Sequence, residues 1–349
     1  MLFIDATSRS VAFWLALEEC VQAWINAAHS GSHPNDSSPL QNAARDGIAF
    51  VWQASKPTIV FGKNQVPEAE FDIERARQEE IALVRRPSGG GAIYSDEGNL
   101  FYSLLLPTAP GANPVETMRK GAEPLVRALR RLDIEAELRG RNDLELDGAK
   151  IAGFAQYLRG KVLCAHSTLL YNADLSVLGQ LLKPDREKYE SKALKSVRSR
   201  VTNIAEHLDD PPPIDVFRTQ LQEALMLELP EVLCHNLTAS EITAVEALQQ
   251  SRFENPEWLW GKTPPFTYRN KQRFAGGSVE VLLNIKDGII TNCSLRGDFF
   301  GLQDVAELEQ QLTDLPYRRP ALEAVLTHID LSQYLGSITA EELISLLPR

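Results

Sequence analysis

The sequence predicts an α+β fold with a second, smaller domain at its C-terminal end. Three observations carry this. Strand-like and helix-like segments are interspersed without the regular alternation of a doubly wound sheet. Tight-turn signals at Asp147-Gly148 and Gly160-Lys161 join extended runs into hairpins. The character of the chain changes again near residue 260, after a stiff Asp209-Asp210-Pro211-Pro212-Pro213 linker and two helices. A length of 349 residues suits two domains, which we place at 1–255 and 260–349.

Taken in order, residues 11–28 predict a helix, because Val11, Trp14, Leu15, Leu17, Cys20 and Val21 recur at helical spacing and Ser8 or Ser10 can cap it. Residues 29–39 are polar and turn-rich, the composition of a mobile loop. Residues 48–54 and 58–62 read as strands parted by Lys56-Pro57, and 71–80 as a short helix. Extended runs at 82–86 and 92–106 flank three consecutive glycines. Residues 115–132 form a long helix that Pro124 should kink or break. Strands at 143–146, 150–158 and 162–171 follow, then helices at 215–228 and 240–251. The C-terminal part predicts a hairpin turning at Lys286-Asp287-Gly288 and helices at 303–313, 321–328 and 340–346.

Composition narrows the function. The formal net charge of -11 disfavours non-specific nucleic-acid binding, which needs a basic surface. One basic island stands out, at 183–200. Cys20, Cys164, Cys234 and Cys293 are widely spaced with no CxxC pair, which reads as buried free thiols of a reducing cytosol rather than a zinc or redox site. The N-terminus lacks the pattern of a secretory signal, and no apolar run approaches the ~18 residues of a spanning helix. A cytoplasmic monomer with no membrane or nucleic-acid partner is the expectation.

The stretch RRPSGGGAIY, residues 85–94, is the most informative. Consecutive glycines cost backbone entropy, but they let N–H groups approach an anion closely. Two arginines add charge and forked donors. The bland alternative is a hairpin loop with a solvated arginine pair. The stretch is not a P-loop, since no Lys-Ser/Thr follows. Gly261-Lys262-Thr263 fails that motif too, with Pro256 where it needs glycine. Lys150, at a strand start after a tight turn, has a fixed Cα and can place a cation on a phosphate or oxyanion, although alone it reads as a surface lysine. The basic island is either a solvated helix face or a cover for a polyanion. His166 reads as a satisfied core histidine before a catalytic base, and the sequence alone assembles no Ser/His/Asp or Cys/His grouping.

Together these residues resemble the lipoate–protein ligase A family. The pattern Arg-Arg-x-Ser/Thr-Gly-Gly-Gly-Ala, then Asp and Gly-Asn, stands here as RRPSGGGAIYSDEGN; Gly-Arg-Asn-Asp stands at 140–143 and Asp-Gly-x-Lys-Ile at 147–151. Similarity covers most of 11–208 and extends into the small C-terminal domain. The resemblance implies a biotin/lipoate ligase-like α+β catalytic domain with a small α+β accessory domain. It implies that lipoate is activated by ATP to lipoyl-AMP and passed to a lysine of a lipoyl domain, in 2-oxoacid dehydrogenase complexes or the glycine-cleavage carrier protein. It assigns the loop Gly89, Gly90 and Gly91 to a wall for acyl chain and nucleotide, and Arg86, Gly91, Ala92, Ile93 and Tyr94 to ATP or adenylate contacts. It assigns Lys150 to the α-phosphate and acyl carbonyl as the catalytic cation, Asn142 and Asp143 to the nucleotide and Mg²⁺ (Asp143 as metal ligand), and the basic island to an adenylate-binding loop. This chain departs from the family at Ser95 (usually His), Ser167 (usually Gly) and Ala193 (usually Gly). An octanoyl or lipoyl transferase of the same fold, using an acyl-cysteine for which Cys164 is the only candidate, and a non-catalytic lipoate or lipoyl-domain binder are the alternatives.

Overall fold

The computed structural model describes the whole chain except residues 6–7, 31–45, 110, 182–200, 261–265, 287 and 348–349. Nearly all of the polar loop at 29–39 and the basic island at 183–200 therefore lie outside the described residues.

The first strand, β1 (Leu2–Ile4), leads into α1 (Val11–Ser30), with Ser10 Oγ accepting from the Phe13 N–H as its cap. β2 (Ile48–Gln53) and β3 (Thr58–Phe61) follow as expected. A short helix, α2 (Pro67–Glu70), precedes the helix expected at 71–80, which is found as α3 (Ile73–Gln78); Asp72 caps its start by accepting from the Arg75 N–H. β4 (Ala82–Arg85) leads into the glycines. The extended run expected at 92–106 divides, into β5 (Ile93–Ser95) and β6 (Asn99–Pro107). Asp96 breaks it: its carboxylate accepts from the Gly98 N–H while its own N–H donates to the Asn99 side chain.

The next helix, α4 (Pro114–Arg131), runs through Pro124. Proline inside a helix costs roughly 3 kcal/mol. Burial of Met118, Leu125 and Leu129 against the sheet, at about 1.5–3 kcal/mol each, offsets it. β7 (Glu137–Arg139), β8 (Asp143–Leu146), β9 (Ala149–Arg159) and β10 (Val162–Leu170) form a meander. It is followed by α5 (Leu175–Leu181), α6 (Ile214–Glu228), β11 (Leu233–His235), α7 (Ala239–Leu248) and α8 (Pro256–Trp260). The C-terminal part contains β12 (Tyr268–Phe274), β13 (Gly277–Lys286), β14 (Ile289–Gly297), α9 (Val305–Leu312), α10 (Arg319–Leu326), α11 (Ser332–Leu335) and α12 (Ala340–Ser345).

These elements build three sheets. The large one has the order β11-β1-β2-β6-β10-β9-β8-β7; a small one is β4-β3-β5, and the C-terminal one is β12-β13-β14. One face of the large sheet packs Phe50, Trp52, Phe101, Cys164 and Tyr157 against α1 and α7. The other face packs against α4 and α6. The C-terminal elements have a hydrophobic cluster of their own, from Val279 to Leu347. Three of the four cysteines are buried thiols as expected, but Cys234 is exposed, because β11 lies at the sheet edge. Among the described residues no helix is long and apolar enough to cross a membrane.

Candidate active site

The glycine loop connects β4 to β5, and both of its arginines point inward. Arg85 donates to the carbonyls of Lys63, Gln65, Leu259 and Trp260 and stacks over the Phe61 ring. The buried Arg86 donates to Val60 O, to Gly89 O (2.7 Å) and Gly91 O (2.8 Å), and to Ser88 Oγ. Burial pushes its pKa down to about 10. Neither arginine is a solvated surface pair; both brace carbonyls. The Gly91 carbonyl is turned toward Arg86, which directs the Ala92 N–H of the same peptide the other way, and the N–H groups of Gly91 and Ala92 donate to no protein group among the described residues.

The three glycines have different reasons. A Cβ on Gly89 would lie 2.3 Å from Phe299 O, and one on Gly90 would lie 2.5 Å from the Phe300 ring. Gly90 also has φ +93°, which a side chain disfavours. Both serve the close approach of the C-terminal part, where Gly90 N–H donates to Phe299 O. Gly91 alone borders open space.

Lys150 sits at the other end of the site. A β-bulge interrupts the β8–β9 pairing between Leu144 and Glu145, so one extra residue of β9 is accommodated there. The bulge shifts the alternation of β9 by one and brings Lys150 to the same face as Gly153, three residues on. A Cβ on Gly153 would lie 2.9 Å from Lys150 Nζ, so the ammonium rests on that glycine. Asp143, directly opposite Gly153 in the ladder, holds Nζ at 2.6 Å. Asn142 clamps β9 by donating to Phe154 O while its own carbonyl accepts from the Phe154 N–H. Thr202, just beyond the basic island, donates its N–H to Lys150 O.

The structure assembles a grouping that sequence reasoning missed. Ser88 Oγ lies 2.7 Å from His166 Nε2, and His166 Nδ1 lies 2.9 Å from a Glu18 carboxylate oxygen. Glu18, on α1, is fully buried and also accepts from Ser103 Oγ at 2.6 Å. Trp52 Nε1 can only donate, and it donates to Ser103 Oγ, so the Ser103 proton goes to Glu18. With Glu18 as a carboxylate both of its oxygens accept, so Nδ1 carries the proton in the tautomer that satisfies this network. Nε2 is left to accept from Ser88. His166 is a satisfied core histidine, as its apolar strand suggests, but its partners arrive from α1 and the glycine loop. The only sequence signal for Glu18 is an acid inside an apolar helical stripe.

The remaining positions are less central. Ile93 faces the large-sheet core, whereas the Tyr94 ring lies in the cluster of Ile59, Phe61 and Phe71, where burial and then Asp96 raise its pKa to about 12. Ser95 is fully buried and donates to Thr58 O. Ser167 points to the opposite sheet face from His166, and its buried Oγ has no partner among the described residues. Cys164 is fully buried, which raises its thiol pKa well above the usual range and removes it as an acyl-accepting thiolate. Glu18, Cys164 and His166 bring ligand atoms within 4.8 Å of one another, but both His166 nitrogens already have partners.

Residues 13–226 match the lipoyl protein ligase A/B catalytic domain, and residues 263–347 match the bacterial lipoate protein ligase C-terminus. The chain is 36% identical to the lipoate-protein ligase LplJ of Bacillus subtilis over 300 residues, covering 85% of this chain and 90% of the relative. It is 35% identical to lipoate–protein ligase 1 of Staphylococcus aureus, covering 88% and 93%. Among solved structures, P. falciparum LipL1 in complex with lipoate shares the fold with a TM-score of 0.72 at 20% identity, over 95% of this chain and 94% of that one. A bipartite lipoate protein ligase from Thermoplasma acidophilum matches with a TM-score of 0.58 at 26% identity, over 76% and 98%. The chain belongs to the lipoate–protein ligase family, in the form that carries both the catalytic and the C-terminal domain.

Proposed function

We propose that the glycine loop and Lys150 form the adenylation site of an ATP-dependent lipoate–protein ligase. The observation that carries this reading is the placement of Lys150. Its ammonium is set over Gly153 on the sheet face to which Ser88 of the glycine loop is tied through His166. On that face Gly153 and Thr168 lie opposite each other and are the half-buried positions, whereas Ala155 and His166, one step along, are buried. In this reading Gly153 and Thr168 form the floor of the site.

In this reading the lipoate carboxylate attacks the α-phosphate of ATP, pyrophosphate leaves, and lipoyl-AMP stays bound. The Gly91 and Ala92 N–H groups face the phosphate oxygens. The Lys150 ammonium offsets charge on the phosphate and on the acyl oxygen in both adenylation and transfer, so one fixed cation serves two transition states. Arg86 acts by holding the loop rather than by reaching the nucleotide directly. Asp143 positions Lys150 through one oxygen. Its partly exposed carboxylate fits a Mg²⁺ that takes its other ligands from phosphates and water, the usual habit of that ion, which neutralises charge when bound. The acceptor is a lysine of a lipoyl domain, in a 2-oxoacid dehydrogenase subunit or the glycine-cleavage carrier protein.

Lipoate-dependent ATP–pyrophosphate exchange tests the reading. The wild type exchanges, and Lys150→Ala loses about 3 kcal/mol of transition-state stabilisation, or about a hundredfold in rate. No exchange by the wild type at saturating lipoate, ATP and Mg²⁺ refutes it.

A further inference from the structure

Transfer to an acceptor lysine carries a requirement that the groups above do not meet. The lysine arrives as an ammonium, since its unperturbed pKa is about 10.4, and it must lose a proton before it can attack. Lys150 is itself a cation. The Asp143 carboxylate is bonded to that cation at 2.6 Å, and Arg86 is a buried guanidinium with no lone pair to offer.

We propose that the buried chain Ser88–His166–Glu18 accepts this proton. His166 pairs with Ala155 across the β9–β10 ladder, and Thr168 pairs with Gly153. Residues two apart on a strand share a face and lie ~7 Å apart. The His166 end of the chain is therefore one step along the same face from the perch of Lys150, the span a mixed anhydride and an incoming amine would occupy. Glu18 fixes the proton on Nδ1, and Nε2 is left with a lone pair aimed at Ser88 Oγ at 2.7 Å.

The step balances as follows. The acceptor ammonium gives one proton to Ser88 Oγ as the Ser88 proton passes to His166 Nε2, forming an imidazolium beside the Glu18 carboxylate. The freed amine attacks the acyl carbonyl carbon. The bond from that carbon to the AMP phosphate oxygen breaks, and AMP leaves with the electron pair. The second proton of the new amide nitrogen departs with the AMP phosphate. Ser88 is buried and accepts from Arg86 Nε, which leaves its Oγ one further lone pair; in the proposal that lone pair takes the amine's proton, and His166 and Glu18 act through it. The charged or titratable groups facing the imidazole are Glu18 from α1, Cys164 on β10, Tyr157 on β9, and Arg86 by way of Ser88.

The proposal rests on the ligase reading, and its test is separable from that of the reading. Purified full-length wild type, His166→Gln and Glu18→Gln are given preformed lipoyl-AMP and one of two acceptors, a lipoyl domain or hydroxylamine. Hydroxylamine is uncharged at neutral pH and needs no base. Positioned proton transfer contributes about 10²–10⁴-fold. His166→Gln is therefore expected to slow transfer to the lipoyl-domain lysine at least a hundredfold more than transfer to hydroxylamine, with Glu18→Gln changing the ratio in the same direction. Raising the pH toward the pKa of lysine should narrow the gap. Equal losses on both acceptors, or no loss on either, overturn the relay. A wild type that neither exchanges pyrophosphate nor transfers to the lipoyl domain overturns the ligase reading instead.

Discussion

Gly153→Ala separates the position of Lys150 from its presence. The new Cβ would stand 2.9 Å from Nζ and 3.2 Å from Cε of Lys150, inside the 3.4 Å at which ordinary contact begins. The ammonium must retreat by about half an ångström, and it can, because it is the far end of a flexible side chain. The backbone has no objection, since Gly153 does not have the left-handed φ that favours glycine. Alanine inside a strand is favoured over glycine by roughly 0.5–1 kcal/mol. Stability should hold or rise slightly. A misplacement of about 1 Å costs on the order of 10²-fold in rate, so half of that predicts about tenfold. Pyrophosphate exchange at saturating substrates reads the rate, and thermal unfolding reads the fold. Full activity in Gly153→Ala would refute the claim that this perch sets the cation. Loss of both activity and stability would mean that Gly153 serves packing.

Gly90→Val should destabilise the protein, through its φ of +93° and the Phe300 ring, whereas Gly91→Ala should fold normally and weaken ATP binding; equal melting temperatures for the two would contradict the division of labour among the glycines. Brief alkylation of the native protein should modify Cys234 alone, because burial pushes the Cys20 thiol up to about 11 and Cys293 to about 12, and holds Cys164 well above its usual range. Peptide mass spectrometry that found more than one labelled thiol would contradict this. Burial opposes the charge of Asp304, but the hydrogen bond and charge of Lys63 at 2.6 Å outweigh it and hold its pKa below the usual value. A lowered carboxylate pKa gives stability that is present above the unfolded value of about 4 and lost as pH falls through the folded one. The pair is partly exposed, so Lys63→Met should cost about 0.2–1 kcal/mol at neutral pH and progressively less in acid, measured by denaturant unfolding.

The sequence exposes much of this site because its parts are contiguous. A run of three glycines and a lysine after a tight turn can be read without a fold. What escapes is phase and long-range pairing. The bulge at Leu144/Glu145 has no signature in DLEL or KIAGF, yet it decides which face Lys150 occupies. Glu18 and His166 are 148 residues apart and meet only because α1 packs across β10. The arginine pair invites an anion, but its partners, Val60, Lys63, Gln65, Leu259 and Trp260 among them, are carbonyls that no local pattern reveals. Of the elements that sequence reading did not anticipate, β1, β7 and β11 have three residues each, too few to show alternation. Of the kink or break expected at Pro124, the break does not occur: the helix continues through it, held by its buried face.

Three glycines should make a loose loop, and a loose loop is a poor catalyst, since donors that must be ordered during the reaction lose much of their value. Arg86 resolves this. Its guanidinium gathers the carbonyls of Val60, Gly89 and Gly91 and the Ser88 hydroxyl, so the loop's dipoles are fixed before any ligand arrives. Each such charged hydrogen bond contributes about 1.5–3 kcal/mol, but burying the guanidinium costs several kcal/mol. The two largely cancel, and what remains is geometry rather than stability. The same geometry orients Ser88 toward His166. One buried cation therefore fixes both the peptide that carries the Ala92 N–H and the Ser88 hydroxyl, the two groups on which the proposed adenylation site and the proposed relay draw. A lysine in its place could not span these acceptors, because a point charge lacks the planar fork.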